Sequence, residues 1–326
     1  LIKDKREKLL RRVTLGILVV FLLCCAAGII NNKNKTRAVA NRLLVQQKEA
    51  EEIAVKQKEE EARLAAEKLK QEEEKKLAEE KRQQEEKKKK EDGEKIQQAI
   101  LGKGTSKSLP ILMYHSIEYE KDNTLRVPKE KFRSQMQYLK DNGFTPMSLD
   151  ELYKAMVFNA SMPEKPIVIT FDDGYVDNYT NAYPVLKEFG FKATIFMISG
   201  ELNNPIYLNE DQVKELDKNG IAIESHTVTH KRLNELSDEE QKSELKNSKA
   251  TLEKVLNREV KYFAYPYGKF NETTEKLLQE LGYSLSVATV EGSANKSNGI
   301  YKLNRIYVSS NYDMEAYKKL INKYTK

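Results

Sequence analysis

The C-terminal two-thirds of the sequence predicts an α/β fold, a distorted (β/α)7 barrel slightly smaller than the eight-fold form. Three observations carry this reading. Apolar runs of strand length alternate with amphipathic helical segments over about 220 residues, the pattern of a parallel α/β fold. Several of these runs end in carboxylates or histidines, where the carboxyl edges of such sheets place their chemistry. The N-terminal third is apolar and then almost wholly charged, which predicts a transmembrane helix followed by a long charged helical stalk.

Composition separates the parts. Of 326 residues, 39% are hydrophobic and 33% charged, too polar for one compact fold of this length. Residues 1–106 hold 26 of the 56 Lys and Arg but only 19 of the 50 Asp and Glu, so the net charge of +6 belongs there. The near-neutral remainder lacks the basic face of a nucleic-acid binder, and no nucleic acid is expected as partner. Cys24 and Cys25 lie together in an apolar run, leaving the folded domain neither a disulfide framework nor a cysteine zinc site.

Residues 1–12 form a basic tail containing Lys3, Lys5, Arg6, Lys8, Arg11 and Arg12. Residues 13–30 follow as a run of about 18 uncharged residues, near the lower limit for a membrane-spanning helix. The basic flank places the tail in the cytoplasm and everything after Asn31 outside, a single-pass protein of the cell membrane with an extracellular domain. Cleavage near Ala26, Ala27 and Gly28, or lipidation at Cys24, competes with an uncleaved anchor, and all three routes export the domain.

Residues 31–106 form the spacer. From Lys35 to Gln98 it is mostly Glu, Lys, Gln, Arg and Ala, with no Pro and no Gly before Gly93, which predicts one long helix. Acid-first pairs such as Glu59/Arg63 and Glu72/Lys76 support it at i,i+4 spacing. Between Lys70 and Lys95 only Leu77 and Ala78 are apolar, so a solvated single helix is expected there. Leu43, Leu44, Ile53, Val55, Leu64 and Leu69 leave a weak coiled coil open in the first half. At ~1.5 Å per residue, about 60 residues would extend roughly 90 Å.

The domain over residues 107–326 begins with a strand from Pro110 to His115 and a helix from Lys129 to Asp141 with Phe132, Met136 and Leu139 on one face. A short strand spans Phe144 to Met147, and a capping box from Ser148 to Glu151 opens another helix. Pro166 to Phe171 is a buried strand, followed by a helix from Tyr179 to Phe189 that stops at Gly190. Ala193–Ile198, Ile221–Ile223, Tyr262–Tyr265 and Tyr283–Ala288 complete seven strand-like runs. Helices are expected over Glu210–Lys218, Asp238–Leu256 and Glu272–Leu281, the second opened by a box from Ser237 to Glu240.

The strand at Pro166 to Phe171 delivers two adjacent acids, Asp172 and Asp173, to one strand end. A cation can divide their duties, holding one as ligand and leaving the other to move protons. The chain's three histidines, His115, His226 and His230, all end a predicted strand or lie just after one. His226 and His230 stand four apart and can bind one metal from a single turn of chain. Thr227 occupies the place where the metalloprotease motif requires Glu, which excludes that chemistry. Each motif alone also fits ordinary surface or core residues; together they point to a catalytic metal with open coordination positions.

These residues carry a family resemblance. Thr170-Phe-Asp-Asp-Gly174, His226-Thr-Val-Thr-His230 and Phe263-Ala-Tyr-Pro-Tyr-Gly268 resemble, in order and spacing, three motifs of the polysaccharide deacetylases, carbohydrate esterase family 4. The resemblance covers Leu109 to about Val308. It implies that Asp173, His226 and His230 bind a divalent metal, commonly zinc (Zn2+), and that Asp172 is the general base. It further implies that the Tyr267 backbone N–H stabilises the oxyanion and that Tyr265 and Tyr267 line the sugar groove; Tyr114 is placed beside them as a third lining residue.

Two departures matter. Ala264 stands where typical members have Arg, and no Trp and no histidine after His230 supply the usual late acid. Met113-Tyr-His115 with Ala264-Tyr-Pro-Tyr-Gly268 is similar to the subgroup that de-N-acetylates exopolysaccharide, where the acid histidine comes from the first strand; this implies His115 as general acid. Arg305, in a strand-like apolar run where an unpaired charge is costly, is expected to replace the missing arginine and orient Asp172. Asn178 is expected to fix the turn after the acids.

The expected protein is a membrane-anchored, extracytoplasmic, metal-dependent enzyme with a monomeric catalytic domain. It removes N-acetyl groups from N-acetylglucosamine residues of peptidoglycan or poly-N-acetylglucosamine and releases acetate. An O-acetyl-glycan esterase of xylan type is the enzymatic rival, and a surface adhesin or scaffold using the barrel as a binding module is the rival of another class.

Overall fold

The computed structural model describes residues 11, 14–19, 33–100 and 108–325. The expected anchor at 13–30 and basic tail at 1–12 lie largely outside them, and no helix of the described residues is long and apolar enough to cross a membrane. Two compact units divide the chain, Leu1–Glu85 and Glu86–Lys326.

One helix runs from Lys33 to Ile100, 68 residues, as the run of strong helix formers requires. Within the first unit Leu44, Ile53, Val55, Leu64 and Leu69 are all exposed, and Leu43 is partly so. Arg63 reaches Glu60 at 3.2 Å, i,i+3, where the spacing suggested Glu59. The second unit begins inside the helix, and its last turns pack: Ala99 is buried, Ile96 lies against the core, and the Ala99 carbonyl accepts from Ile300 N–H at 3.3 Å. The spacer's end is therefore part of the globular unit.

That unit has eight strands, all parallel where they pair: β1 Ile111–Tyr114, β2 Thr145–Pro146, β3 Pro166–Phe171, β4 Ala193–Met197, β5 Ile221–Ser225, β6 Tyr262–Ala264, β7 Leu285–Glu291 and β8 Leu303–Tyr307. β1 pairs with both β3 and β8 and closes a ring of seven strands, β1 and β3 to β8. The barrel has the expected strand number with a different membership. β2 pairs only with Pro166 and Ile167 at the start of β3, while the run at Leu303, noted only as strand-like, closes the ring.

Strand alternation produces two cores. Inside the barrel, Ile111, Val168, Phe196, Ala264, Leu285, Val287 and Leu303 pack together. Because β2 ends level with Ile167, the following helix, Leu149–Phe158, starts at the barrel's amino-terminal end, and its Leu149, Leu152 and Met156 join this inner cluster. Outward-facing Leu112, Ile169, Phe171, Ile195, Ile223 and Phe263 pack with Phe132, Met136, Leu245, Leu252 and Leu277 of the helical shell. Fully burying each large side chain contributes about 1.5–3 kcal/mol. Both faces of β3 are buried, as its unbroken apolar run requires.

Helix boundaries follow from local chemistry. The boxes at Ser148/Glu151 and Ser237/Glu240 form, and Asn209/Gln212 and Asn271/Thr274 add two that the sequence reading passed over. Asn178–Ala182 widens into a π-helical turn before the helix Tyr183–Phe189, which ends on Gly190 at φ 67.

Candidate active site

All the predicted chemistry lies at or near the carboxyl ends of the barrel strands, the catalytic end of such folds. Asp172 follows β3, its N–H donating to the Tyr114 carbonyl at 2.9 Å. The chain then turns sharply: Asp173 has φ 74 and Gly174 φ 82. A Cβ on Gly174 would stand 2.1 Å from Met197 Sδ and would have to displace that buried side chain, so at φ 82 this turn favours glycine. It turns neighbouring carboxylates to different partners.

Asp172 lies within the barrel, held by a fork from β8. Arg305 Nη1 donates to its Oδ1 at 2.7 Å and Nη2 to its Oδ2 at 2.6 Å. Arg305 is itself fully buried and donates further to the Ala288 carbonyl and Thr170 Oγ1 at 2.9 and 3.1 Å. Burial alone would raise the Asp172 pKa; the charges of Arg305, His226 and His115 and the hydrogen bonds from Arg305 overcome it and hold the carboxyl well below the usual range.

Asp173 meets the histidines of the loop after β5. Its Oδ1 stands 3.5 Å from His226 Nε2 and 3.3 Å from His230 Nε2, and one ligand atom from each of the three lies within 4.8 Å of the others. That same Oδ1 is buried without a hydrogen-bond partner. The Ala264 carbonyl lies 2.7 Å from His226 Nδ1 and fixes the ring with Nε2 toward Asp173. Burial and the neighbouring His226 hold the His230 pKa down at about 4, while for His226 the adjacent carboxylates of Asp173 and Asp172 outweigh burial and raise it. One carboxylate and two imidazoles around an orphaned oxygen fit a divalent cation with open positions. The loop carrying them is itself fixed: Glu244 accepts from Val228 N–H and Thr229 N–H, both at 2.8 Å, and His230 N–H donates to Thr227 Oγ1 at 2.9 Å.

His115, the first residue beyond β1, places Nε2 4.0 Å from Asp172 Oδ2. Its ring edge faces Tyr307 with centroids 6.3 Å apart, and burial lowers its pKa against the pull of Asp172 and Asp173. Tyr267 is 51% exposed, its ring 4.6 Å from that of His230 and covered by the Arg232 guanidinium at 4.9 Å.

Two expected groove residues are elsewhere. Tyr114 is fully buried, packs on Phe132 and Phe171, and donates to Gln135 Oε1 at 2.9 Å; Tyr265 is fully buried, stacks on Phe270 and donates to the Tyr301 carbonyl at 2.7 Å. Tyr114 ends β1 and Tyr265 directly follows β6, both on the outward side that a helical shell covers, so they belong to the outer core and not to the groove. On the open side, the stacked pair Tyr175 and Tyr207, centroids 5.1 Å apart, lies close enough to Asp173 for its charge to raise both phenol pKa values, after the larger effect of burial.

Backbone strain marks the same place. Among the described residues, eight other than glycine have positive φ; Asn159 and Asn257 cap helix ends, and Asp122 and Asn203 lie in turns. The rest are Asp173, Thr227, His230 and Tyr267, all in this site.

Comparison with known proteins agrees with this geometry. The profile of the polysaccharide deacetylase family matches residues 159–286, a span holding Asp172, Asp173, His226, His230 and Tyr267. YxkH of Bacillus subtilis, itself assigned to the polysaccharide deacetylases, is 43% identical over 209 residues, 64% of this chain and 74% of its own. The chain belongs to the polysaccharide deacetylase family. Also similar is the poly-β-1,6-N-acetyl-D-glucosamine N-deacetylase of Staphylococcus aureus, 30% identical over 216 residues, 61% of this chain and 71% of its own. The solved structure of the Streptococcus pyogenes deacetylase PplD in complex with acetate superposes with a TM-score of 0.63 at 36% identity, covering 66% of this chain and 98% of that one. Within this polysaccharide deacetylase, His115 and Arg305 lie outside the profile's span. Glu244 and Arg232 were missed by sequence reasoning; no spacing in the sequence marks either one.

Proposed function

We propose that this polysaccharide deacetylase is a metal-dependent N-deacetylase that hydrolyses N-acetylglucosamine residues of a wall or surface polymer. One observation carries the reading: a buried ionised carboxylate, Asp172, and an imidazole, His115, stand 4.0 Å apart beside the donors of Asp173, His226 and His230. The S. aureus relative is named for removing such a group from such a sugar, and PplD is described with acetate, the acid that deacetylation releases.

When bound, a divalent cation, zinc being the family's common choice, would polarise the acetyl carbonyl and make a water acidic. Asp173, His226 and His230 would hold it. Asp172, kept ionised and aimed by Arg305, takes the proton from the attacking water. The backbone N–H of Tyr267, in its strained turn, supports the developing oxyanion. Amide cleavage then needs a proton on the leaving nitrogen, which His115 Nε2 supplies. The exposed ring of Tyr267 forms a wall against which a pyranose can stack.

We place the enzyme at the cell membrane, facing the wall, with residues 13–30 as anchor and the 68-residue helix as spacer. The likeness to the S. aureus enzyme favours poly-N-acetylglucosamine over peptidoglycan as substrate. Acetate release should be measured from N-acetylglucosamine oligomers, peptidoglycan and acetylated xylan. Release from the two amide substrates, fastest from the oligomers, is expected. Release confined to xylan would replace the amidase reading with an esterase, and tight binding without release would favour the scaffold.

A further inference from the structure

We infer that Asp177, Asn178 and Asn181 are positioning residues that hold His115 in place by its backbone; the inference rests on His115 being the general acid. A catalytic imidazole is ordinarily oriented through its second ring nitrogen. Here His115 Nδ1 is buried and has no hydrogen-bond partner. β1 ends at Tyr114, so the strand ladder does not fix His115 either.

Three side chains from one turn do so instead. Asn178 Nδ2 donates to the His115 carbonyl at 2.8 Å. Asp177 accepts from Ser116 Oγ at 2.7 Å and from Ile117 N–H at 2.6 Å. Asn181 Nδ2 donates to the Ile117 carbonyl at 2.9 Å. Asn178–Ala182 is π-helical, and the wider turn lets the three positions grip three consecutive residues of the loop. Asp177 and Asn178 are buried, and the segment descends directly from Asp172 and Asp173. The chain that places the base thus also places the acid, with four hydrogen bonds and none to the ring.

The test measures steady-state kinetics of the full chain on an N-acetylglucosamine oligomer, whose amine must be protonated to leave, and on 4-nitrophenyl acetate, whose phenolate leaves unaided. Asp177→Ala should lower kcat on the amide about 10- to 100-fold with KM within about two-fold and ester turnover nearly unchanged. Added to His115→Ala, it should change amide turnover less than about two-fold, because both substitutions remove one function. Asn178→Ala, which loses the His115 carbonyl bond and the longer 3.2 Å bond to Asp177 Oδ1 but leaves the bonds of Asp177 to Ser116 and Ile117, should show the same pattern at smaller size and serves where Asp177→Ala fails to fold. Asp177→Asn should recover much of the amide kcat, since its amide can accept from Ile117 N–H and donate to Ser116 Oγ. Equal losses on amide and ester, or a full further loss in the His115→Ala background, would make the clasp merely structural and overturn the inference. So would wild-type amide kcat in Asn178→Ala. Wild-type amide turnover in His115→Ala would instead remove the acid, and the inference with it, a result visible before any clasp variant is read.

Discussion

At the residue scale, the two acids of Asp172-Asp173 differ in what surrounds them. Arg305 grips both oxygens of Asp172, whereas Asp173 keeps a buried oxygen free beside two imidazoles. Asp172→Asn should therefore retain bound metal, measured by elemental analysis, while losing about 10²- to 10⁴-fold in turnover. Asp173→Asn should lose both. Arg305→Lys keeps a charge but not the fork, and a fall in kcat of at least about ten-fold with a normal fold is expected; near-normal activity would remove its role in aiming Asp172. The grouping of Asp173, His226 and His230 was legible because each sits in a short segment whose neighbours advertise it. Arg305 was legible from the cost of a charge in an apolar strand. Tyr114 and Tyr265 were misread because a barrel strand is apolar on both sides and composition does not say which residues face the groove. Asp177 and Glu244 act on backbone N–H groups and Arg232 on the ring of Tyr267, through contacts distant in sequence, and no spacing announces them.

At the element scale, the site depends on how strands and loops are joined. β5 and β6 share a single aligned pair, Ser225 with Phe263. Glu224 supplies what the ladder lacks: its carboxylate accepts from Lys261 N–H at 2.8 Å and Tyr262 N–H at 2.9 Å, and from Arg258 at 2.9 Å. Replacing it by leucine should lower the unfolding free energy by about 1–3 kcal/mol, read from the denaturant midpoint, because the Lys261 and Tyr262 amides lose their acceptor while Arg258 keeps Asp217. Glu244 does the same for the histidine loop, and Glu244→Ala should weaken metal affinity about 10- to 100-fold, measured by competition with a chelator, without a comparable loss of stability. Most strands and helices were legible from apolar runs and capping boxes. Strand partnership was not: the two-residue β2 and the barrel-closing β8 have similar local texture, and only closure of the ring distinguishes them.

At the scale of the whole molecule, a barrel with its chemistry at one end is joined to a helix of 68 residues whose last turns belong to the barrel's own unit. The sparse apolar residues of that helix predict that residues 40–92 as a peptide sediment as a monomer at micromolar concentration. A stable dimer would show that the exposed leucines suffice for pairing. The change from charged helix to alternating strands made the division of the chain legible, but not its position, since the helix continues unbroken past Glu86 into packed residues. The central claim joins the cation, Asp172 and the acetamido sugar in one reaction. Its most direct measurement is acetate and free amine released from an N-acetylglucosamine oligomer by the chelator-stripped protein and by the same protein reloaded with zinc. The account predicts equal amounts of both products after reloading and almost none before. A folded, zinc-loaded protein that releases neither product, or one whose turnover is indifferent to stripping, would contradict it.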